Sequence, residues 1–261
     1  MKKIIDRIYL FLIFIFLYAP IVILVVFSFN NSKLRGSWAG FTLKWYKQLF
    51  NDPAILSSLW TTIFVAVVAT IISTVVGTIS AIAINELRGF KKDVILNINY
   101  LPVINPDIVT AVALMGLFGL FNIRMGYTTM IISHIVFCIP YVILSILPKL
   151  NQLQKNTLEA ALDLGATPTY AILHVVIPQI KPAILTGALM SFTLSIDDFV
   201  ISFFNTGQGV SNLSITIYSM ARKGINPSIN AVSTLMLVSL LILLVIINKR
   251  SEKNKKIEVE I

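Results

Sequence analysis

The chain has 261 residues, of which 56% are hydrophobic and 13% are charged, and its mean hydropathy is +0.85. Soluble domains carry about 25% charged residues, so this composition excludes a disordered chain and argues against a soluble domain. The charges are also clustered and leave long intervals without Lys, Arg, Asp or Glu. Apolar runs of about 18 or more residues are typical of membrane spans. The sequence therefore predicts an all-α, multi-pass membrane protein.

The net charge is +9, which in a soluble protein would raise nucleic acid as a partner. In a membrane protein, basic residues collect at the cytoplasmic ends of helices, so we expect membrane lipid and no nucleic acid. The single cysteine, Cys138, excludes an internal disulfide and a cysteine-cluster zinc site.

Six intervals are long and apolar enough to span a membrane. The first, residues 8–29 or slightly longer, is too long for the apolar core of about 7 to 15 residues in a signal peptide, so we interpret it as a retained span. The third includes Asp107, and the fifth continues past Asp197 and Asp198. The intervals are 8–32, 53–85, 101–123, 125–148, 182–221 and 224–248.

The distribution of basic residues predicts the orientation. With six spans, the termini and the even-numbered loops hold 14 Lys and Arg residues, and the opposite side holds 7. The side richer in Lys and Arg is the cytoplasmic side. Both termini are therefore predicted to be cytoplasmic, with 249–261 as a solvated tail, and residues 1–261 are interpreted as a single domain.

The longest cytoplasmic connection, residues 149–181, is called the coupling segment here. Its 33 residues exceed what two antiparallel helices require, and connections of this length are usually functional. Asn156 and Glu159 have capping-box spacing, and Gly165 suits a left-handed helix stop. Thr167 and Pro168 are typical of an N-cap and first helical residue. The pattern predicts two short helices, the second of which runs through Val176 and ends at Pro178.

The residues of this segment resemble the EAA loop of ABC-importer permeases. The family pattern is EAA, three residues, Gly, nine residues, Ile, one residue, and Leu-Pro. The chain keeps that spacing, with two conservative replacements, Val175 for Ile and Ile177 for Leu. The matching residues are Glu159, Ala160, Ala161, Gly165 and Pro178.

The resemblance implies the fold of a type I ABC-importer permease, in which this loop docks onto a separate ATPase subunit. The chain contains no G-x-x-x-x-G-K-[ST] phosphate loop. We therefore expect no catalytic residues and no cofactor in this chain, with ATP and Mg bound by the partner ATPase. A second homologous permease and an extracytoplasmic solute-binding protein are the other implied partners.

Three acidic residues lie within the predicted spans: Asp107, Asp197 and Asp198. A charged residue at the centre of a span costs about 2.5 to 3.5 kcal/mol on the insertion scale, and no Lys or Arg lies inside any predicted span to neutralise these acids. Unpaired carboxylates along a pathway favour a cationic substrate. Three alternatives stay open: Asp198, with Ser195 before it, caps a broken helix, an acid is protonated, or an acid pairs with a second permease.

Several segments resemble the spermidine/putrescine permease subunits, especially the C-type subunit, and the likeness covers nearly the whole chain. In that family, residues at matching positions are implicated in substrate passage, which implies roles for Asp107, Ser195, Asp197, Asp198 and Trp45. Trp45 offers a cation–π face to an ammonium group, or alternatively belongs to an interfacial aromatic belt. The similar segments are 27–32, 41–46, 101–107, 195–199 and 230–234.

The function predicted is polyamine translocation across the bacterial cytoplasmic membrane. The alternatives are an ABC permease for thiamine, iron or an oxyanion, and a self-sufficient secondary transporter, which the EAA pattern disfavours. His134 and Cys138 share a helix face, but without a third ligand nearby we interpret them as packing residues and predict no metal site.

Overall fold

The structure, a computed structural model, describes residues 2–32, 37–153, 157–223, 227–239, 241, 242 and 245. These residues are helical or irregular, with one isolated antiparallel bridge between Asn30 and Phe41. The first helices are α1 (Lys2–Ser28), α2 (Lys44–Leu49), α3 (Pro53–Glu86), α4 (Phe90–Ile104), α5 (Asp107–Leu120) and α6 (Tyr127–Gln152). The later ones are α7 (Thr157–Asp163), α8 (Pro168–Ala171), α9 (Ile177–Asp197), α10 (Val200–Asn205), α11 (Leu213–Lys223) and α12 (Ser228–Ser239). The all-α prediction is confirmed for this part of the chain.

Four helical stretches in the described residues are long and apolar enough to cross a membrane: Asp6–Ser28, Pro53–Glu86, Tyr127–Gln152 and Pro168–Asp197. They coincide with the predicted first, second and fourth spans and the first half of the fifth. Helices α4 and α5 pass the same test together but are bent by 106°. The described part of the chain thus holds four or five candidate spans, and the predicted sixth span is described only in part, as α12.

The bend between α4 and α5 follows from Pro106. A residue before proline is disfavoured in the helical region, and Asn105 accordingly takes an extended conformation with φ −72° and ψ 146°. Pro102, by contrast, lies inside α4 without ending it. The prediction of a break near these prolines is confirmed at Pro106, which makes Asp107 the first residue of α5.

The prediction that one span continues past Asp197 and Asp198 is wrong. Helix α9 ends at Asp197, and Asp198 is extended, with φ −65° and ψ 129°. A short helix, α10, follows, and α11 begins only at Leu213. The apolar run is broken because the Asp198 side chain bonds to backbone N–H groups that a continuous helix would direct to its own carbonyls.

The prediction that the second coupling-segment helix ends at Pro178 is also wrong. Residues Ile172–Val176 form a π-helical turn, in which the Ile177 N–H bonds to the Ile172 carbonyl, and helix continues from Pro168 to Asp197. Pro178 falls in the first turn of α9. Proline lacks the N–H that would bond to a carbonyl of the preceding turn, and the helix continues past it without that hydrogen bond.

Two compact units are present, Ser58–Ile215 and Met1–Ser57 with Thr216–Ile261. In the unit Ser58–Ile215, α6 is the central helix and packs closely on α3 and α9. A Cβ added to Gly77 would lie 2.7 Å from Cγ1 of Val142, and one on Gly187 would lie 3.3 Å from the Val142 Cα. Small residues at such contacts let membrane helices approach closely. A buried apolar cluster of this unit comprises Ala81, Ile84, Val142, Ile143, Ile146, Leu147, Leu150, Val176 and Ile180.

The other unit contains α1, α2 and the connection between them. In the apolar stretch Asp6–Ser28 of α1, every side chain except that of Ser28 is at least partly exposed. Side chains on this helix are available to lipid or to another chain. In α2, Trp45 and Leu49 are buried.

Candidate functional site

The break between α9 and α10 is held by the carboxylate of Asp198. Its Oδ1 accepts a hydrogen bond of 3.0 Å from the Ile201 N–H, and its Oδ2 accepts bonds of 2.7 and 2.8 Å from the N–H and Oγ of Ser202. The side chain is 5% exposed. Donors at the start of a helix have no intrahelical partners, so Asp198 stabilises the beginning of α10 from inside the protein.

A histidine of α6 bridges the two sides of this break. The Nδ1 of His134 lies 2.7 Å from Oγ of Ser195 in α9, and its Nε2 lies 2.8 Å from Oγ of Ser202 in α10. The same Nε2 is 3.5 Å from Oδ2 of Asp198. His134 and Ser195 are each 1% exposed. Both ring nitrogens are therefore engaged by side chains on either side of the break.

The network extends to the segment before α11. The Nδ2 of Asn212 donates to the Asp198 carbonyl at 3.1 Å and to Oγ of Ser202 at 2.7 Å, while its Oδ1 accepts from the Ile215 N–H at 2.9 Å. We call the five residues that meet here, His134, Ser195, Asp198, Ser202 and Asn212, the break cluster. Side chains from α6, α9, α10 and the chain before α11 thus converge on one buried point.

Polar contacts also connect α10 to its other neighbours. The Nδ2 of Asn205 donates to the Ala111 carbonyl of α5 at 3.2 Å, and Oγ1 of Thr129 in α6 donates to the Asn205 carbonyl at 2.7 Å. Beyond this helix, Oγ1 of Thr62 in α3 accepts from the Leu213 N–H at 2.8 Å. The short α10 is thereby fixed on several sides.

The two adjacent acids that are predicted to line a pathway have different environments in the structure. Asp197 is the last residue of α9 and is exposed, whereas Asp198 is buried and serves as a cap. The alternative that Asp198 caps a broken helix is therefore what its contacts show. Ser195 is buried and bonded to His134. Of these three predicted site residues, Asp197 alone offers an exposed side chain.

Asp107 occupies a similar position on another helix. It is exposed and begins α5, where a carboxylate interacts favourably with the helix dipole. One turn later, Ala111 bonds to Asn205 of α10. Within the residues that the structure describes, neither Asp107 nor Asp197 forms an ion pair. Both carboxylates are therefore exposed and have no cationic partner among the described residues.

Trp45, the remaining predicted pathway residue, lies in the other unit. Its side chain is buried, its Nε1 donates to the Asn30 carbonyl at 2.7 Å, and the ammonium of Lys44 stands 5.6 Å from the ring centroid. Asn30 also organises the loop before α2, because its Oδ1 accepts from the Ala39 N–H at 2.8 Å. In this structure Trp45 anchors that loop, and its contact with a substrate stays a prediction.

Sequence reasoning missed His134, Ser202 and Asn212 as members of a site. His134 was interpreted as a packing residue beside Cys138, and its ring instead makes two side-chain hydrogen bonds. An ionisable residue within a span is by default a functional candidate, and applying this rule to His134 as well as to the acids would have identified it. Ser202 and Asn212 carried no comparable pattern.

The turn at Gly165 and the cap at Thr167 have the local conformations predicted for them. Gly165 has φ +88°, and the N–H groups of Gly165 and Ala166 bond to the carbonyls of Leu162 and Ala161. These bonds form a Schellman motif at the end of α7. Thr167 then caps α8, with Oγ1 accepting from the Tyr170 N–H at 3.4 Å, and Pro168 occupies its first turn.

Residues of the EAA pattern lie at the surface of this segment. Glu159 is in the first turn of α7 and exposed, Ala160 is exposed, and Ala161 is partly buried. The predicted cap Asn156 lies outside the described residues. An open cleft of about 560 Å³ adjoins the Gly165 turn, and Leu164 beside it is 90% exposed. Glu159 and the Gly165 turn are thus accessible at the surface of the chain.

The long apolar helices, four or five of which are candidate spans in the described residues, define a helical, multi-pass membrane protein. The chain belongs to the family described as binding-protein-dependent transport system inner membrane component, whose model matches residues 73–256. It is therefore a permease component and not an enzyme.

Two curated relatives and one solved structure show how far the similarity extends. The chain is 36% identical over 246 residues to the spermidine/putrescine transport system permease protein PotC of Haemophilus influenzae, covering 94% of this chain and 96% of that protein. It is 37% identical over 231 residues to the putrescine transport system permease protein PotI of Escherichia coli strain K12, covering 86% and 82%. A bacterial ABC transporter involved in import of the acidic polysaccharide alginate has a chain of the same fold, with TM-score 0.73, 18% identity and coverage of 97% and 94%.

Proposed function

We propose that this chain is the membrane-spanning permease subunit of an ATP-driven importer that carries spermidine and putrescine across the bacterial cytoplasmic membrane. The relatives named for these polyamines match most of the chain at 36% and 37% identity. The observation that carries the substrate class is the pair of exposed carboxylates at the ends of apolar helices, Asp107 and Asp197, which form no ion pair within the described residues. A polyamine presents several ammonium groups, and carboxylates attract them while repelling anions.

The finer architecture is part of the same proposal. The chain forms one permease domain over residues 1–261, with six spans and both termini in the cytoplasm. Support comes from the excess of Lys and Arg on the predicted cytoplasmic side and from the four or five candidate spans in the described residues. Under this topology the segment 149–181 faces the cytoplasm.

The proposed partners follow from this arrangement. ATPase subunits dock on the coupling segment around Glu159, Ala160, Ala161 and Gly165, and they bind ATP and Mg. A second homologous permease completes the pathway, and an extracytoplasmic binding protein delivers the cationic substrate. Supporting this, the Gly165 turn lies beside an open cleft and an exposed leucine.

The substrate is tested by uptake and competition in cells that express the complete importer. Labelled spermidine uptake is expected to depend on this chain and to fall when excess unlabelled spermidine or putrescine is added. Thiamine, ferric iron and an oxyanion such as sulfate serve as competitors of other classes. Chain-dependent uptake that thiamine or iron suppresses and polyamines do not would contradict the proposal and favour another ABC permease.

The docking role predicts a specific effect of Gly165→Val. A Cβ at this position meets no atom within 4 Å, so any effect on the chain itself comes from the backbone. A left-handed conformation costs a non-glycine residue about 1–2 kcal/mol, and β-branched residues tolerate it least. We expect Gly165→Val to reduce co-purification of the ATPase and substrate-stimulated ATP hydrolysis.

The matched control for this variant is Gly165→Asn, because asparagine adopts left-handed conformations more readily. It is expected to retain more of the ATPase than Gly165→Val. Equal ATPase recovery and transport in the valine variant and the wild type would show that the turn at Gly165 does not govern docking.

A further inference from the structure

The break cluster contains more hydrogen bonds than a helix cap requires. Capping of α10 uses Asp198 and the two donors of Ser202 together with the Ile201 N–H. His134 adds two further bonds, one on each side of the break: its Nδ1 bonds to Oγ of Ser195, and its Nε2 bonds to Oγ of Ser202. A ring so placed ties the end of α9 to the beginning of α10.

The donors and acceptors of the cluster balance when the His134 ring is uncharged. Oγ of Ser202 donates its proton to Asp198 and accepts from Nδ2 of Asn212, which leaves one lone pair. The Nε2 of His134 then donates to that lone pair, and its Nδ1 accepts the hydroxyl proton of Ser195. Each polar atom at the bridge is satisfied with the ring proton on Nε2.

Loss of the ring would leave the cap intact but remove the bridge. Asp198 would keep its bonds to Ile201 and Ser202, and Ser202 would keep Asn212. Ser195, freed from the ring, can bond to a carbonyl one turn earlier in its own helix, as serines in helices commonly do. The two helices would therefore still form, with the angle between them less restricted.

Asp197 is exposed at the break between α9 and α10. It is the last residue of α9 and the neighbour of the capping Asp198. Its carboxylate is placed by the last turn of α9, which the bond between His134 and Ser195 holds against α6. We propose that His134 is a positioning residue that fixes the break between α9 and α10 and so sets the orientation of the Asp197 carboxylate. The importance of that carboxylate for transport rests on the proposed function, whereas its orientation does not.

The test measures the chemical accessibility of position 197. In a Cys138→Ala background of the assembled importer, the thiol introduced by Asp197→Cys is labelled with a positively charged methanethiosulfonate reagent in the absence of ATP. Adding His134→Ala is expected to change the labelling rate by about threefold to tenfold, the range by which loss of one intramolecular hydrogen bond shifts an equilibrium. Labelling of Thr193→Cys, an exposed position one turn earlier on α9, is expected to stay constant.

Two further variants serve as a control and as a substitute for His134→Ala. Ser133→Ala is the matched control, because Ser133 is the buried neighbour of His134 and its Oγ has no hydrogen-bond partner in the described structure. Ser195→Ala removes only the α9 side of the bridge, and it replaces His134→Ala if that variant does not assemble. It is expected to change labelling at position 197 in the same direction.

An unchanged labelling rate at position 197 in assembled His134→Ala or Ser195→Ala would overturn the proposal. Equal changes at positions 193 and 197 would do so too, because they would indicate a general loosening of α9. Labelling requires no substrate, so the result is independent of whether polyamines are transported. Failure of spermidine uptake in the unsubstituted importer would count against the proposed function alone.

Discussion

Asp198→Ala is expected to prevent stable folding and assembly of this permease, although the sequence predicts Asp198 itself as a substrate-pathway residue. The substitution removes the acceptor of three hydrogen bonds, from the N–H groups of Ile201 and Ser202 and from Oγ of Ser202. Each buried donor left unpaired costs about 1–3 kcal/mol. Since typical domains are stable by only about 5–15 kcal/mol, this loss is a large fraction of the total.

The measurement is the thermal unfolding midpoint of the purified complex, together with the amount of chain recovered from the membrane. Asp198→Asn is expected to be less severe, because the amide retains one acceptor oxygen while its NH₂ group cannot accept from Ser202. Asp197→Ala is the matched control, an exposed acid one residue away, and should leave the unfolding midpoint unchanged. If Asp198→Ala assembles with a wild-type midpoint and loses only transport, Asp198 contacts substrate and its capping role is dispensable.

The different environments of Asp197 and Asp198 show which features could be predicted from the sequence and which could not. Spans such as Pro53–Glu86 and Tyr127–Gln152 were predictable to within a few residues because they depend on composition over some twenty positions. The turn at Gly165 and the cap at Thr167 were predictable because backbone preference is local. Which of Asp197 and Asp198 faces inward depends on a helix break and on partners from distant parts of the chain.

His134 illustrates the same limit more sharply. Its two partners, Ser195 and Ser202, are 61 and 68 residues away in sequence. A single histidine in an apolar helix carries no spacing that points to them. Likewise, the helix continues through the π-helical turn Ile172–Val176 and past Pro178, although the local preference of proline is to end a helix. Short sequence patterns predicted the individual helices and turns. They did not predict the hydrogen bonds that join α6 to α9 and α10, or the helix that continues past Pro178.

Asp197→Asn is expected to abolish most polyamine uptake while leaving the chain folded and assembled. The carboxylate is exposed, lies at the end of an apolar helix and has no ion pair within the described residues. An attraction between unit charges at 4 Å is worth about 1 kcal/mol in water and about 4 kcal/mol near a protein surface. Removing it should therefore lower uptake at subsaturating spermidine by about tenfold or more.

The measurement is the initial rate of labelled spermidine uptake over a concentration series, in membranes where complex abundance is quantified. Asp197→Glu keeps the charge and is expected to restore part of the rate, and Asp107→Asn, the second exposed acid, should reduce uptake in the same direction. Asp6→Asn, an exposed acid near the start of α1, is the charge-matched control and should transport normally. Wild-type uptake in assembled Asp197→Asn and Asp107→Asn would end the acidic-pathway hypothesis, because the carboxylates then contribute nothing that a neutral amide does not.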